Sequence, residues 1–215
     1  MKMKLRKNLL SIALFGFCTA YFASDLTIAQ ECDSQPAVAG QFFCDDFESA
    51  SSNSRWTSSD SFVAQSGVMT ITGTNVPIIT SQSNSSSDVS LLAVGRAVDP
   101  DSGGGIGVRE RPYFIGFGTE NDKTIAGVNL GGGTIEELHR YDATTELSFT
   151  PQEWLGMRID AFGDEISYWI WPADEPMPVD PVATVIDTRS RSGGPIWLYA
   201  AAGDPPNWPE FGQAE

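Results

Sequence analysis

Apolar and polar residues alternate along this chain in short runs, and the clearest of them lie between Trp154 and Trp171. Trp154–Phe162 and Glu165–Trp171 both alternate, and Gly163-Asp164 separates them, so the pattern predicts two half-buried antiparallel strands joined by a tight reversal. Similar runs occur at Gln41–Phe47, Phe62–Ala64, Val68–Gly73, Ser90–Val98, Gly105–Val108, Tyr113–Gly118, Thr124–Leu130, Glu137–Tyr141, Glu146–Phe149, Ala183–Thr188 and Ile196–Ala201. Glycine, proline, asparagine or clustered serine fills nearly every gap, and these residues turn or end strands for backbone reasons. No long stretch carries a helical period, so the expectation is an all-β chain of two packed antiparallel sheets, a β-sandwich or jelly roll. The Ser-rich stretches Ser49–Ser61 and Ser81–Ser87 read as surface loops, and the glycine clusters Gly103–Gly107 and Gly131–Gly133 as flexible turns. Neither cluster opens a helix, so a phosphate loop is not indicated.

The first residues change the picture of the chain's destination. Lys2, Lys4, Arg6 and Lys7 precede an apolar run from Leu9 to Ala23, and Thr27-Ile28-Ala29 ends in the small-x-small pattern of a cleavage site. This is the layout of a signal peptide spanning residues 1–29, and the apolar run is too short for a membrane anchor. Phe17 before Cys18 does not match a lipoprotein signal. The expected product is a secreted protein, extracellular or periplasmic, with one domain over residues 30–215 and no membrane partner after cleavage.

Charge narrows the partners. The whole chain carries a formal net charge of −15, and losing four of 13 basic and one of 28 acidic residues with the signal leaves 9 basic against 27 acidic. Such a surface repels phosphate backbones, so nucleic acid is disfavoured as a partner. Cys32 and Cys44 are the two cysteines that remain, and in an exported chain they form a candidate disulfide closing a short loop, worth about 2–3 kcal/mol.

Three motifs in order resemble one family. The hairpin from Trp154 to Trp171-Pro172 resembles "W-y-x-l-r-x-x-x-x-G-d-x-i-x-x-x-x-W-p", and Phe42-Phe43-Cys44-Asp45-Asp46-Phe47-Glu48-Ser49 followed by Trp56 resembles "f-x-D-D-F-e-s…W". Gly194–Ala200 looks like the late strand "G-x-i-G-l-x-a". Together they resemble concanavalin A-like jelly-roll domains of the laminin-G and lectin/glucanase type. That resemblance implies a fold that hosts many functions. It also implies a closing strand of the type "v-x-f-D-d-v-x-v", which the residues up to Glu215 do not spell out; either the chain is truncated or the first strand is left partly unpaired.

Hydrolysis in this fold needs paired carboxylates, which family 16 glycoside hydrolases carry as E-x-D-x-E on one strand face. That motif is absent, and Asp160, Asp164, Glu165, Asp174, Glu175 and Asp180 fall at turns or in a loop. Lyase chemistry needs a proton-transfer pair, and alternation puts His139 and Tyr141 on one strand face; they are the catalytic candidates. The lyase motifs R-x-E-x-R and Q-x-H do not appear, and Arg109-Glu110-Arg111 matches only a fragment. Sugar recognition needs flat aromatic faces and a few donors. Trp169 and Trp171 share a face, with Tyr141, Arg140 and His139 as further candidates, and Trp197 with Tyr199 forms a second pair. Calcium is the one candidate cofactor, with Asp45 and Asp46 as candidate ligands and Asp99 and Asp101 readable as turn residues. The expected function is non-catalytic recognition of an extracellular carbohydrate, with a hydrolase or lyase and a structural or adhesive domain as alternatives.

Overall fold

A computed structural model describes residues 45–48, 55–57, 62–71, 76–84, 86–98, 103–118, 123–131, 134–142, 152–189, 192–201 and 210–214. The signal segment, Cys32, Cys44, Asp99, Asp101 and Glu146–Phe149 lie outside these residues. Every regular element among them is a strand: β1 Trp56–Thr57, β2 Phe62–Gln65, β3 Val68–Ile71, β4 Val76–Asn84, β5 Val89–Arg96, β6 Gly103–Val108 and β7 Tyr113–Gly118 come first. They are followed by β8 Lys123–Gly131, β9 Thr134–Asp142, β10 Leu155–Phe162, β11 Glu165–Pro172, β12 Ala183–Ile186, β13 Gly194–Ala201 and β14 Glu210–Ala214. The strands form two seven-stranded sheets, one ordered β12-β11-β10-β5-β14-β3-β2 and the other β1-β4-β13-β6-β7-β8-β9. All pairings are antiparallel, and the expected two-layer β-sandwich is the architecture observed.

Alternation explains the core. Along β10, Leu155, Met157, Ile159 and Ala161 face inward, and on β11 Ile166, Tyr168 and Ile170 do the same. The other sheet contributes Ile106, Val108, Tyr113, Ile115, Phe117, Ala126, Val128, Ile196 and Leu198. Burial of these side chains is the main stabilising term, about 1.5–3 kcal/mol for each large one. The β10–β11 hairpin has the anticipated form: Phe162 pairs with Glu165, which leaves Gly163-Asp164 as the two-residue loop, and Gly163 adopts φ 57° as a primed hairpin turn demands.

Four sequence expectations are corrected. Ser81–Asn84 is not loop but the end of β4, where Ser83 pairs with Pro195 and Asn84 with Gly194 in the neighbouring strand. Gly103–Gly107 is not a turn; it forms most of β6, and all six residues of that strand are buried. The segment ending at Phe47 does not continue as a strand, because Phe47 has φ 57° and its N–H donates to Asp45 Oδ1 at 3.0 Å. The tail, read as lacking a closing strand, supplies β14, which lies between β5 and β3 and puts Phe211 in the core. Gly95 makes that possible, since a β-carbon there would sit 3.0 Å from the Phe211 ring.

Candidate functional site

The residues proposed for ligand binding fall on two different sheets. Trp169 and Trp171 share the outer face of the first sheet, opposite the core-facing Tyr168 and Ile170, as alternation requires. His139, Arg140 and Tyr141 lie on β9, the edge strand of the second sheet, and only their backbone is described. His139 pairs with Ala126 and Tyr141 with Thr124 in one set of register rows, whereas Arg140 pairs with Ile125 in the alternate set. The two tryptophans therefore share one face, and the strand order puts the β9 residues in the other sheet.

Both indoles are nearly sealed. Trp169 is 8% exposed and Trp171 5% exposed. Trp171 lies across its register partner Gly156, where any β-carbon would overlap the indole. Arg158, opposite Trp169, holds its guanidinium 5.4 Å from that ring and donates to both oxygens of Asp160 at 2.7 and 2.9 Å. Ser90 Oγ donates to the same carboxylate at 2.6 Å. The loop after β11 returns over this face, with Ala173 N–H bonded to Trp154 O at 2.8 Å and Met177 Sδ 3.9 Å from Arg158 Nη1. Trp154 has its own cation, Arg96, at 4.5 Å. On this face the tryptophans serve as packing for neighbouring arginines and a loop.

The second sheet's outer face is built differently. Ile196 and Leu198 of β13 enter the core, so Trp197 and Tyr199 point outward, with ring planes 12° apart and centroids 6.2 Å apart. Phe114 of β7 joins them, its centroid 5.8 Å from that of Tyr199. All three rings are partly exposed. The register places them among glycines: one row runs Ile79, Trp197, Gly107, Phe114, Gly127, and the next runs Pro77, Tyr199, Gly105, Gly116, Ile125. Added β-carbons would approach Tyr199 at 3.1 Å from Gly107 and Phe114 at 2.8 Å from Gly127, so the rings lie on bare backbone. At Gly105 a β-carbon would come within 2.7 Å of Gly116 Cα, so the close approach of β6 and β7 here requires glycine.

Trp197 is held in place from below. Its Nε1–H donates to Arg109 O at 2.9 Å, in the turn that joins β6 to β7. Arg109 has φ 78° and a side chain 1% exposed; its Nε donates to Ser87 O at 2.8 Å and its Nη2 to Gly163 O at 2.9 Å. Burial lowers its pKa below the ordinary guanidinium value, partly offset by Tyr113, Asp88, Asp164 and Tyr168. One arginine thus ties the turn beneath Trp197 to the β10–β11 hairpin of the opposite sheet. The Tyr199 hydroxyl is buried without a hydrogen-bond partner, and burial pushes its pKa up, which keeps it protonated.

The carboxylates proposed for calcium have other work. Asp45 is fully buried; Oδ1 accepts from Phe47 N, and Oδ2 accepts from Trp56 Nε1 at 2.9 Å. Asp46 Oδ1 accepts from Glu48 N at 3.2 Å. Among the described residues no group of three or more acidic, histidine or cysteine side chains is arranged to hold a metal, and Asp45 and Asp46 are engaged in these local turns.

Phe114 and the glycine floor were missed in the sequence, although the signal was present: Tyr113–Gly118 places Phe114, Gly116 and Gly118 on one face and Tyr113, Ile115 and Phe117 on the other.

No protein-family model matches the sequence, and no curated protein matches it. Solved structures do resemble it. A carbohydrate-binding module, CBM66 from Bacillus subtilis, is 14% identical with a TM-score of 0.53, over 73% of this chain and 91% of that one. A prokaryotic β-1,3-1,4-glucanase (lichenase) derived from a mouse hindgut metagenome is 12% identical with a TM-score of 0.58, over 80% of this chain and 96% of its own. The exoplasmic/lumenal domain of VIP36, in a form bound to Ca2+ and Man3GlcNAc, is 12% identical with a TM-score of 0.58, over 75% and 82%. At such identities the likeness concerns fold alone, and that fold is the jelly-roll β-sandwich of two antiparallel sheets described above.

Proposed function

We propose that the protein is a secreted, non-catalytic carbohydrate-recognition module that holds its ligand on the outer face of the second sheet, against Trp197, Tyr199 and Phe114. One observation carries this reading: three partly exposed aromatic rings rest on glycines, and no carboxylate stands in the rows that run beneath them from β4 to β8. Aromatic faces of this kind bind the CH faces of pyranose rings, whereas glycoside hydrolysis needs two carboxylates across the scissile bond. A carbohydrate-binding module and a lichenase among the structural neighbours fit a role of this class, and the composition of the face favours binding over cleavage.

The test is retention of the purified protein on immobilised polysaccharides, with released reducing ends and unsaturated products assayed in the same samples. Retention without products is expected, and Trp197→Ala and Tyr199→Ala weaken it about tenfold or more, equivalent to about 1.4 kcal/mol. Products that disappear in His139→Ala would overturn the reading in favour of an enzyme.

A further inference from the structure

The distribution of charge around this face points to the class of carbohydrate, an inference that rests on the recognition reading above. We infer that the ligand is a neutral glycan with flat pyranose faces, not a polyuronate or a sulfated polysaccharide. In the two rows that contain Trp197 and Tyr199, every position from β4 through β8 is apolar or glycine: Ile79, Gly107, Phe114 and Gly127 in one, Pro77, Gly105, Gly116 and Ile125 in the other. Charged residues enter these rows only at the β9 edge, with Glu137 in the first and Arg140 in the second, one of each sign. The row beyond pairs Gly118 with Lys123 and Lys123 with Asp142, again one of each sign. Within these rows charge is thus displaced to the β9 edge and balanced there, and the exposed turn beside Trp197 adds Glu110 and Arg111, again one of each sign.

The two buried or bridged arginines nearby do not supply a cation to the face. Arg109 is inside, donating to Ser87 O and Gly163 O. Arg189 is shared between Glu136, at 2.5 Å, and Asp187, at 2.6 Å. Recognition of a polyanion uses arginine or lysine arrayed along the binding surface, and the attraction is strongest when the protein's field has the opposite sign. Here the rows beneath the aromatic rings offer no such array, and the whole chain carries a net charge of −15. A uronate or sulfate chain would lose the solvation of its anions against glycine backbone and indole without a cation in return. A neutral chain loses little, because its CH faces meet the rings and its hydroxyls remain at the rim in water. The faces that fit are those of pyranoses with equatorial substituents, as in gluco- and xylo-configured chains; a manno-configured chain, with its axial 2-hydroxyl, keeps one such face.

The experiment is affinity gel electrophoresis of the purified protein through gels containing a β-glucan, a xylan, a mannan, a polyuronate or a sulfated galactan, each at low and at high sodium chloride. Tyr199→Leu serves as the ring-deletion variant, with circular dichroism to check its fold, and Tyr168→Phe, in the core and away from this face, as the control. The inference expects at least one neutral glycan to retard the protein equally at both salt concentrations, no retardation by either polyanion, loss with a folded Tyr199→Leu protein and about unchanged retardation with Tyr168→Phe. Retardation by a polyanion alone, weakening with salt, would overturn the neutral assignment and leave the recognition reading standing. Retardation by none of the five would overturn both.

Discussion

Two outer faces of one sandwich carry tryptophan, and they use it in opposite ways. On the first sheet, Trp169 and Trp171 are each matched within the chain, one beneath the Arg158 guanidinium and the other on Gly156, and a loop returns over them. On the second sheet, Trp197, Tyr199 and Phe114 also rest on their neighbours, but nothing comparable among the described residues seals their upper sides, and all three stay partly exposed. The lesson is that pairing of aromatics at alternate positions announces a face of a sheet without saying whether that face is closed by the chain itself. Closure is decided by the connections, here a ten-residue return after β11 on one side and a four-residue turn at Arg109–Pro112 on the other.

That contrast can be broken most forcefully at Trp169. Trp169→Ala is expected to cost about 3–5 kcal/mol of stability, as for other buried tryptophans, while leaving glycan retention unchanged at a temperature where the variant is folded. Urea unfolding beside the retention assay measures both, and lost retention in a folded Trp169→Ala protein would move the site to the first sheet. Next in size is Gly156→Ala. Its β-carbon must displace the nearly sealed Trp171, so a destabilisation of about 1–3 kcal/mol is expected in the same unfolding experiment. Trp197→Ala sharpens the other side: about tenfold weaker glycan retention with a folded protein, as read by binding isotherms and circular dichroism.

Smaller effects separate fold from function more finely. Tyr168 and Tyr199 each bury a hydroxyl without a partner, and burial raises the pKa of both. Phenylalanine at either position removes a desolvated donor, so Tyr168→Phe and Tyr199→Phe are expected to raise stability by up to about 1 kcal/mol. A clear loss of stability in both would show that these hydroxyls are satisfied in solution. The smallest effect concerns neither face. Arg189 bridges Glu136 of β9 and Asp187 just after β12, across the open edge of the sandwich, and its hydrogen bonds lower the pKa of both carboxylates despite opposing desolvation. The contribution to stability is present above the ordinary carboxylate range, near pH 4, and is lost as pH falls through the lowered folded-state values. Arg189→Leu should therefore lose a little stability at neutral pH and show a shallower acid-side decline; an unchanged slope of melting temperature against pH would exclude the bridge.

Much of this was readable along the chain. Tyr113–Gly118 matches β7 residue for residue, and the Gly163-Asp164 reversal falls where alternation breaks. Sequence reading failed where composition and context compete. Serine and threonine in β4 look like loop because their strand character comes from pairing with β13 and β1, contacts far away in sequence. Glycines in β6 look like turn because their purpose, room for Tyr199 and for the close approach of β7, exists only once the sheet has formed. The grouping of site residues was the least legible part. Chemical type puts Trp169 and His139 in one site, and the strand order that separates them into different sheets is a non-local property.

That order also says something about how the molecule is made. In the first sheet, β3 and β2 are joined to the other four strands only through β14, formed from residues 210–214. A chain emerging from the ribosome in order must wait for those residues before this sheet can be completed. Until then β5 and β3 each keep an open edge, and Phe211 is missing from the core between the sheets. Its topology makes closure of the sandwich depend on a strand synthesised after every other strand of the two sheets.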